Sequence, residues 1–561
     1  MVRRVFQVVY KEVRGLHQAA YVLALFTFGS QILALIRDRL LAHQFGAGSE
    51  LDLYYAAFRI PDLLYVLFAS TLSVYVLIPF VAGRIESIGS GNGKRLLSQI
   101  FTLFVLVYIV LALCIGLFAP LFVPFIFPGF AEHQDELVLL VRILLLQPFL
   151  LGLSSLFGVI TQLGHRFILY ALSPILYNAG IIFGLLFLYP MFGLEGLVMG
   201  VIFGALGHVL IQVPLVRMSD LSPRFVYPIV WDEIRPVLKV SIPRALTLSL
   251  HQFVLLGMVG FASIMSVGSV SVFQFAFNLQ SVPLAIIGVS YSVAAFPLLA
   301  QLFAEGNKEG FRQHMTTALR HIIFWSVPVL MLIVVVRAQF VRVILGSGEF
   351  NWDDTRLTAA VLALFLFSLA SQAIHLIVVR ALYAVGNTRL PFYVTLYSSI
   401  GALVCSVGLY ALFVSSSAFQ LGLEALLRIK GVPGSEIMVL PLGYTIALIA
   451  HSIALIALSK RHLFFSVSDL GTHALHACFA GLFGALCAYG TLNFLVDGLR
   501  TDTLMGIFLQ GFIAGSAGLV GVVLGYHAQG SPELKEAYMA FHKRIFKTEI
   551  IAPQDEDHLA V

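Results

Sequence analysis

Charge is what this sequence has least of. Only 11% of its 561 residues are Asp, Glu, Lys or Arg, less than half the roughly 25% usual in a soluble domain. With 59% hydrophobic residues and a mean hydropathy of +0.94, too few polar side chains remain to cover a water-facing surface. Cysteine is scarce too. Cys114, Cys405, Cys478 and Cys487 all lie in apolar stretches and none has CxxC spacing, which argues against a thiolate metal site and leaves them as packing residues. No GxxxxGK[ST] phosphate loop occurs, so the chain carries no ATPase of its own. The net charge of +5 is scattered over short loops instead of gathered into a patch, so nucleic acid is not an expected partner.

What the chain has in quantity is uncharged apolar runs long enough to span a bilayer as helices. They fall near 17–45, 51–82, 96–126, 137–163, 167–189, 193–216, 237–264, 268–303, 314–340, 357–385, 390–415, 437–459, 468–495 and 503–527. The expected class is therefore an all-α polytopic membrane protein with about 14 transmembrane helices. With the N-terminus placed in the cytoplasm, 22 Lys and Arg fall in inside segments and six in outside segments. That bias puts both termini inside. The opening "MVRRVFQVVYKEVRG" is a basic amphipathic leader, and the segment after it is too long for a signal-peptide core. Near the other end, "SPELKEAYMAFHKRIFKTE" has amphipathic helical spacing suited to the inner membrane face, and "QDEDH" has the composition of a disordered tail.

Two stretches about 219 residues apart match in order. "GAGSELDLYYAAFRIPDLL" from Gly46 answers "SVGSVSVFQFAFNLQSVPL" from Ser266, and "QLGHRF" (162–167) answers "AVGNTRL" (384–390). The unit contains six spans, and an even number keeps both copies in one orientation, a parallel repeat. The expected organisation is a leader (1–16), an N-terminal lobe (17–216), a cytoplasmic linker (217–236), a C-terminal lobe (237–459), an extra helix pair (460–527) and a cytoplasmic tail (528–561).

The few charges inside spans are concentrated in the first two. On a helix over residues 30–44, Ser30, Gln31, Arg37, Asp38 and Gln44 share one polar arc, while Arg39 points away near His43. In the second span Asp52, Tyr55, Arg59 and Asp62 form one stripe, and Pro61 frees the carbonyl of Ala57, so a kink is expected there. A charge at this depth costs roughly 2.5–3.5 kcal/mol on insertion scales. Such groups lock helices together, snorkel to an interface, or line a watery cavity. The third possibility is a cationic wall for an anionic substrate group, because arginine stays charged and offers a planar fork of donors that matches phosphate oxygens. Elsewhere, Lys239 and Arg244 begin the seventh span, where they either snorkel or guide an anionic headgroup. His251, His473 and His476 are expected to be satisfied interior or interface histidines, and His375 and Arg380 to lie near the cytoplasmic end.

"RDRLLAHQFGAGSELDLYYAAFRIPDLL" (37–64), "IPRALTLSLHQ" (242–252), "GEFNWDDTRLTAAVLALF" (348–365) and "VRALYAVGNTRLP" (379–391) together resemble the MurJ (MviN) family. That family belongs to the multidrug, oligosaccharidyl-lipid and polysaccharide exporter superfamily. The resemblance implies two six-helix lobes, an extra C-terminal helix pair forming a groove for a lipid tail, and alternating access. It implies a flippase, not an enzyme, carrying undecaprenyl-diphosphate-linked peptidoglycan precursor across a bacterial cytoplasmic membrane, with membrane lipids and envelope-synthesis proteins as the partners to look for. It maps substrate-binding roles onto Arg37, Asp38, Asp52 and Arg59, with Gln31, Asp62, Arg244 and Asn278 as secondary positions. Gln31 and Asn278 stand where the family carries arginine. No carboxylate occurs between Ala245 and Ala304 or between Leu390 and Leu423, so no cation site or cofactor is expected in the second lobe. The rival expectations are a cation-coupled small-molecule exporter of the same superfamily and a non-transporting envelope scaffold.

Overall fold

The computed structural model describes residues 16–463, 468–495 and 503–546. The first fifteen residues of the leader and the acidic tail lie outside this range. Among the described residues every regular element is a helix. The first lobe comprises α1 (Leu16–Phe45), α2 (Ser49–Ala57), α3 (Arg59–Thr71), α4 (Val74–Ile88), α5 (Ser90–Ile126), α6 (Gln134–Leu144), α7 (Leu146–Leu163), α8 (Phe167–Phe183) and α9 (Tyr189–Leu210). The second comprises α10 (Trp231–Ala262), α11 (Ser269–Leu284), α12 (Ser290–Ala304), α13 (Lys308–Val335), α14 (Arg337–Leu345), α15 (Trp352–Leu366), α16 (Leu369–Ala384), α17 (Arg389–Ser415) and α18 (Val439–Leu463). Then follow α19 (Ser468–Gly490), α20 (Leu504–Ala528) and α21 (Pro532–Phe546).

Eleven helical stretches are long and apolar enough to cross a membrane, or twelve with the α15–α16 pair, bent by 42°, taken as one span. One of them, Phe167–Met218, runs for 52 residues. It reverses at Gly193, where φ of 61° and ψ of −145° suit glycine and no other common residue. The two arms pack antiparallel through small residues, Gly180 against Gly204 and Gly184 against Gly200. This stretch is thus two passes, and α1 is a further 30-residue helix. The total accords with the expected fourteen.

The repeat is visible as matched irregularities. The second span breaks at Phe58, between α2 and α3, where Pro61 was expected to kink it. The fourth spans of both lobes break too, at Leu145 and Phe367. Both then end in the same turn. His165 and Gly386 have positive φ, and the following amides reach back to Thr161 and Leu382 at 2.8 Å each. The extra pair α19–α20 packs antiparallel, Ala480 against Gly525 and Gly484 against Gly521. It docks on α13, where Gly481 meets Pro328 and Met331. The first turn of α21 is tied to the bundle through Glu533, which bonds Arg320 of α13 and His473 of α19, each at 2.7 Å.

The connection between lobes is itself structural. α10 starts at Trp231, inside the expected linker, and its first turn packs on the first lobe. Glu233 receives Arg84 and Arg95, at 3.2 Å each, and the amide of Gln99 at 3.0 Å.

Candidate functional site

The two segments matched in the repeat face each other across the lobe boundary. At one end of the molecule their loops are sealed together. Gly268, the residue before α11, has φ of 89° and sits against the Ala47 carbonyl. The first turn of α11 therefore points its free amides at the other lobe. Asp52 of α2 meets them. Its Oδ2 accepts from the Gly268 amide at 2.7 Å, and its Oδ1 from the Ser271 amide at 2.7 Å and the Ser271 hydroxyl at 2.5 Å. A carboxylate at a helix N-terminus is favoured by both the unsatisfied N–H groups and the helix dipole. Nearby, the Glu349 amide donates to the His43 carbonyl at 3.0 Å. Arg39 turns away from the polar arc as expected, and its Nη1 caps α14 through the carbonyls of Val343 at 2.6 Å and Ile344 at 3.3 Å.

Below this seal lies a cavity of about 170 Å³, lined by Arg37, Tyr54, Tyr55, Arg59, Asp62 and Tyr177 from the first lobe and Gln274 and Asn278 from the second. A single hydrogen-bond chain runs around it. Arg37 binds Asp38 Oδ1 through Nε at 2.9 Å and Nη2 at 2.7 Å, and gives Nη1 to Asn178 Oδ1 at 2.9 Å. Asp38 Oδ2 accepts from Asn278 Nδ2 at 3.0 Å. Asn278 Oδ1 in turn accepts from Gln274 Nε2 at 2.6 Å, and Gln274 Oε1 accepts from Arg59 Nη2. The chain crosses between lobes twice, at Asp38–Asn278 and at Arg59–Gln274.

The two arginines differ in what they have left to give. Both carboxylate-facing donors of Arg37 are committed to Asp38. Arg59 is 5% exposed, and its Nε has no hydrogen-bond partner among the described residues, like the hydroxyl of Tyr55. An unpaired buried donor is expensive, by about 1–3 kcal/mol and more when charged, so an acceptor placed here would make a bond that no described protein group makes. Asp62, a carboxylate in the lining, keeps the wall from being uniformly cationic.

The structure thus gathers Arg37, Asp38, Arg59, Asp62 and Asn278 in one place. It does not bring Asp52 there, because the α11 amides hold that carboxylate at the seal. Gln31 lines a different chamber of about 480 Å³ inside the first lobe, with Ser30, Tyr65, Ser154, Tyr170 and His208. Arg244 is half-buried on α10 beside Tyr383, away from both linings. Sequence reasoning missed Gln274, Asn178, Tyr54 and Tyr177. One signal was present for Gln274: it precedes Asn278 by four residues, one helical turn, in the repeated segment. Asn178 is a lone amide in an uncharged span, with no pattern around it.

Comparison with known proteins agrees with this architecture. The family described as lipid II flippase MurJ matches residues 41–507. A probable lipid II flippase MurJ from Rhizobium tropici is 26% identical over 377 residues, covering 65% of this chain and 70% of the relative. Among solved structures, a lipid II flippase MurJ in an inward closed conformation superposes with a TM-score of 0.71 at 21% identity, over 91% of this chain and 99% of that one. A multidrug-resistance transporter of the MATE family and MOP superfamily, in an inward-facing conformation, gives 0.63 at 14% identity, over 78% and 94%. These two structural matches show a shared fold. With the family match covering most of its length, the chain belongs to the lipid II flippase MurJ family, a family of membrane transporters and not of enzymes.

Proposed function

We propose that this protein translocates an undecaprenyl-diphosphate-linked peptidoglycan precursor across the cytoplasmic membrane by alternating access of its two lobes. The observation that carries this is Arg59, a buried guanidinium with a donor to spare, facing a polar cavity on the lobe boundary. Arg59 is the principal phosphate ligand. Arg37, oriented by Asp38, is the second once the headgroup arrives. Gln274 and Asn278 hold the acceptor and donor positions around Arg59 and Asp38 and are displaced as the lobes part.

The volume supports a moving site over a rigid one. Pockets for whole small ligands run to roughly 300–1,000 Å³, so about 170 Å³ holds an anionic group but not a glycan with its peptide. The sealed end, with Asp52 on α11, is the outer gate in this state, and both termini face the cytoplasm. Opening that gate gives up three bonds to one carboxylate. A membrane potential, negative inside, drives an anionic headgroup outward by about 2.3 kcal/mol per charge per 100 mV. The polyprenyl tail stays in lipid, with the α19–α20 pair beside it.

Depletion rescue tests the proposal. The wild-type chain is expected to restore growth to a bacterium depleted of its lipid II flippase, and Arg59→Ala is not, at equal membrane abundance. Failure of the wild type to rescue, or full rescue by Arg59→Ala and Arg37→Ala alike, would overturn it. The first outcome favours an exporter of other cargo or a scaffold.

A further inference from the structure

The second lobe holds a histidine pair, His451 buried and His375 half-buried, that the cavity does not use. His375 on α16 and His451 on α18 share a hydrogen bond, Nδ1 to Nε2, at 2.7 Å. His451 is 3% exposed and sits at the middle of the 25-residue α18. His375 therefore lies at mid-depth, not near the cytoplasmic end where its segment placed it. His251 of α10, whose ring lies against Phe277 and Tyr444, is within electrostatic reach of both His375 and Arg59. A line of titratable and charged groups thus runs from the pair to the cavity.

We propose that the His375–His451 pair is a proton-binding site, loaded when an anionic headgroup occupies the cavity beside Arg59; this rests on the anion-binding role given to that cavity. The proton count follows from imidazole chemistry. Two neutral rings carry two protons on four nitrogens. One proton and one bare nitrogen make the shared bond, so in either tautomer one further bare nitrogen remains. The pair takes up one proton and becomes a hydrogen-bonded cation. At this depth an added charge is costly without a counter-charge. Among the described residues, the elements packed on the pair show none. α11 meets α16 through the neutral Gln280–Gln372 bond, α12 through Ser292 and the Leu376 carbonyl, and α15 meets α18 through Thr445 and the Leu364 carbonyl. α17 meets α18 through Ser398 and the Ala447 carbonyl. Arg320 and His321 of α13 are engaged with Glu533 and Glu536 of α21. Arg244 lies by Tyr383, two turns along α16, and Arg380 is on α16 itself, five residues on. The ionisable groups facing the pair are thus basic, His251 first, with Arg59 beyond it. An anion bound at Arg59 reverses the sign of that field, and by linkage a proton on the pair tightens the anion by the same factor.

Calorimetry of the purified full-length protein with undecaprenyl diphosphate, repeated in buffers of different ionisation enthalpy, measures binding and proton uptake together. The wild type should take up close to one proton per ligand bound. His375→Gln and His451→Gln keep a hydrogen-bonding side chain and should still bind, with uptake near zero. His314→Gln, exposed on α13, should behave as wild type. Binding without uptake in the wild type, or undiminished uptake in both pair variants, overturns the proposal. Absence of binding by the wild type would count against the cavity, and the pair is then judged by nitrogen NMR of labelled histidine. With no anion bound, signals lost in the two variants should stay those of neutral rings across the ordinary histidine range, about pH 5 to 8. A pair already charged there without an anion would overturn it.

Discussion

Arg37 and Arg59 are both cations in apolar helices, yet their surroundings differ. Arg37 is neutralised by the next residue in the chain, and its Nη1 donates to Asn178. Among the described residues, Arg59 is hydrogen-bonded to an amide oxygen of the opposite lobe, with Asp62 beside it in the cavity lining. If the proposed function holds, that difference makes Arg59 the more available phosphate ligand and leaves Arg37 dependent on rearrangement. Asp52 carries the other residue-scale argument. Each of its bonds is charge-assisted, worth about 1.5–3 kcal/mol. Asp52→Asn keeps the shape and loses the charge, so the seal should loosen. In an otherwise cysteine-free protein, Ser269→Cys, 2% exposed at present, should react several-fold faster with a membrane-impermeant maleimide when Asp52→Asn is added. An unchanged rate would show that Asp52 does not hold the seal. The in-span charges stood out in the sequence because every neighbour is apolar. The destination of Asp52 did not, since its partners are backbone amides, which no residue letter records.

The helices themselves were largely legible from their punctuation. Pro61 marked the break at Phe58, and "QLGHRF" and "AVGNTRL" marked turns that share one hydrogen-bond pattern. Less legible was where an element packs. α10 belongs by sequence to the second lobe, but its first turn bonds the first lobe through Glu233. The tail helix α21 is also bound more tightly than an amphipathic surface helix needs to be. Burial pushes the Glu533 carboxyl up, but bonds from the Ser531 hydroxyl and Arg320 outweigh it and hold the group below the usual carboxylate range. A group depressed in the folded state stabilises the docked helix above its unfolded pKa. That contribution is lost as pH falls through the lower, folded value. Protection of α21 amides, corrected for intrinsic exchange at each pH, should therefore fall as the solution is acidified through the carboxylate range. Glu533→Gln should be less protected already at neutral pH, and its corrected protection should change little on acidification. Equal protection in wild type and variant would remove Glu533 as the anchor.

At the scale of the whole molecule, the repeat places two equivalent segments face to face. One end of that contact is sealed by Asp52 and the middle is the cavity. The sealed end joins α1 to the loop before α15 through His43 and Glu349, so it must separate if cargo leaves there. A reducible cross-link between His43→Cys and Glu349→Cys should stop flipping in proteoliposomes, and reduction should restore it. Flipping that continues through the cross-link would rule out rocking about this gate. The two-lobe plan was readable from repeat spacing, but the cavity was not, because most of its polar wall is neutral amide and tyrosine. The account as a whole depends on one contact, that of Arg59 with an anionic headgroup. Its most direct test is the affinity of the purified protein for undecaprenyl diphosphate, wild type against Arg59→Ala. Losing one charge-assisted contact of about 1.5–3 kcal/mol predicts a loss of roughly tenfold or more. Equal affinity in the two proteins would contradict it.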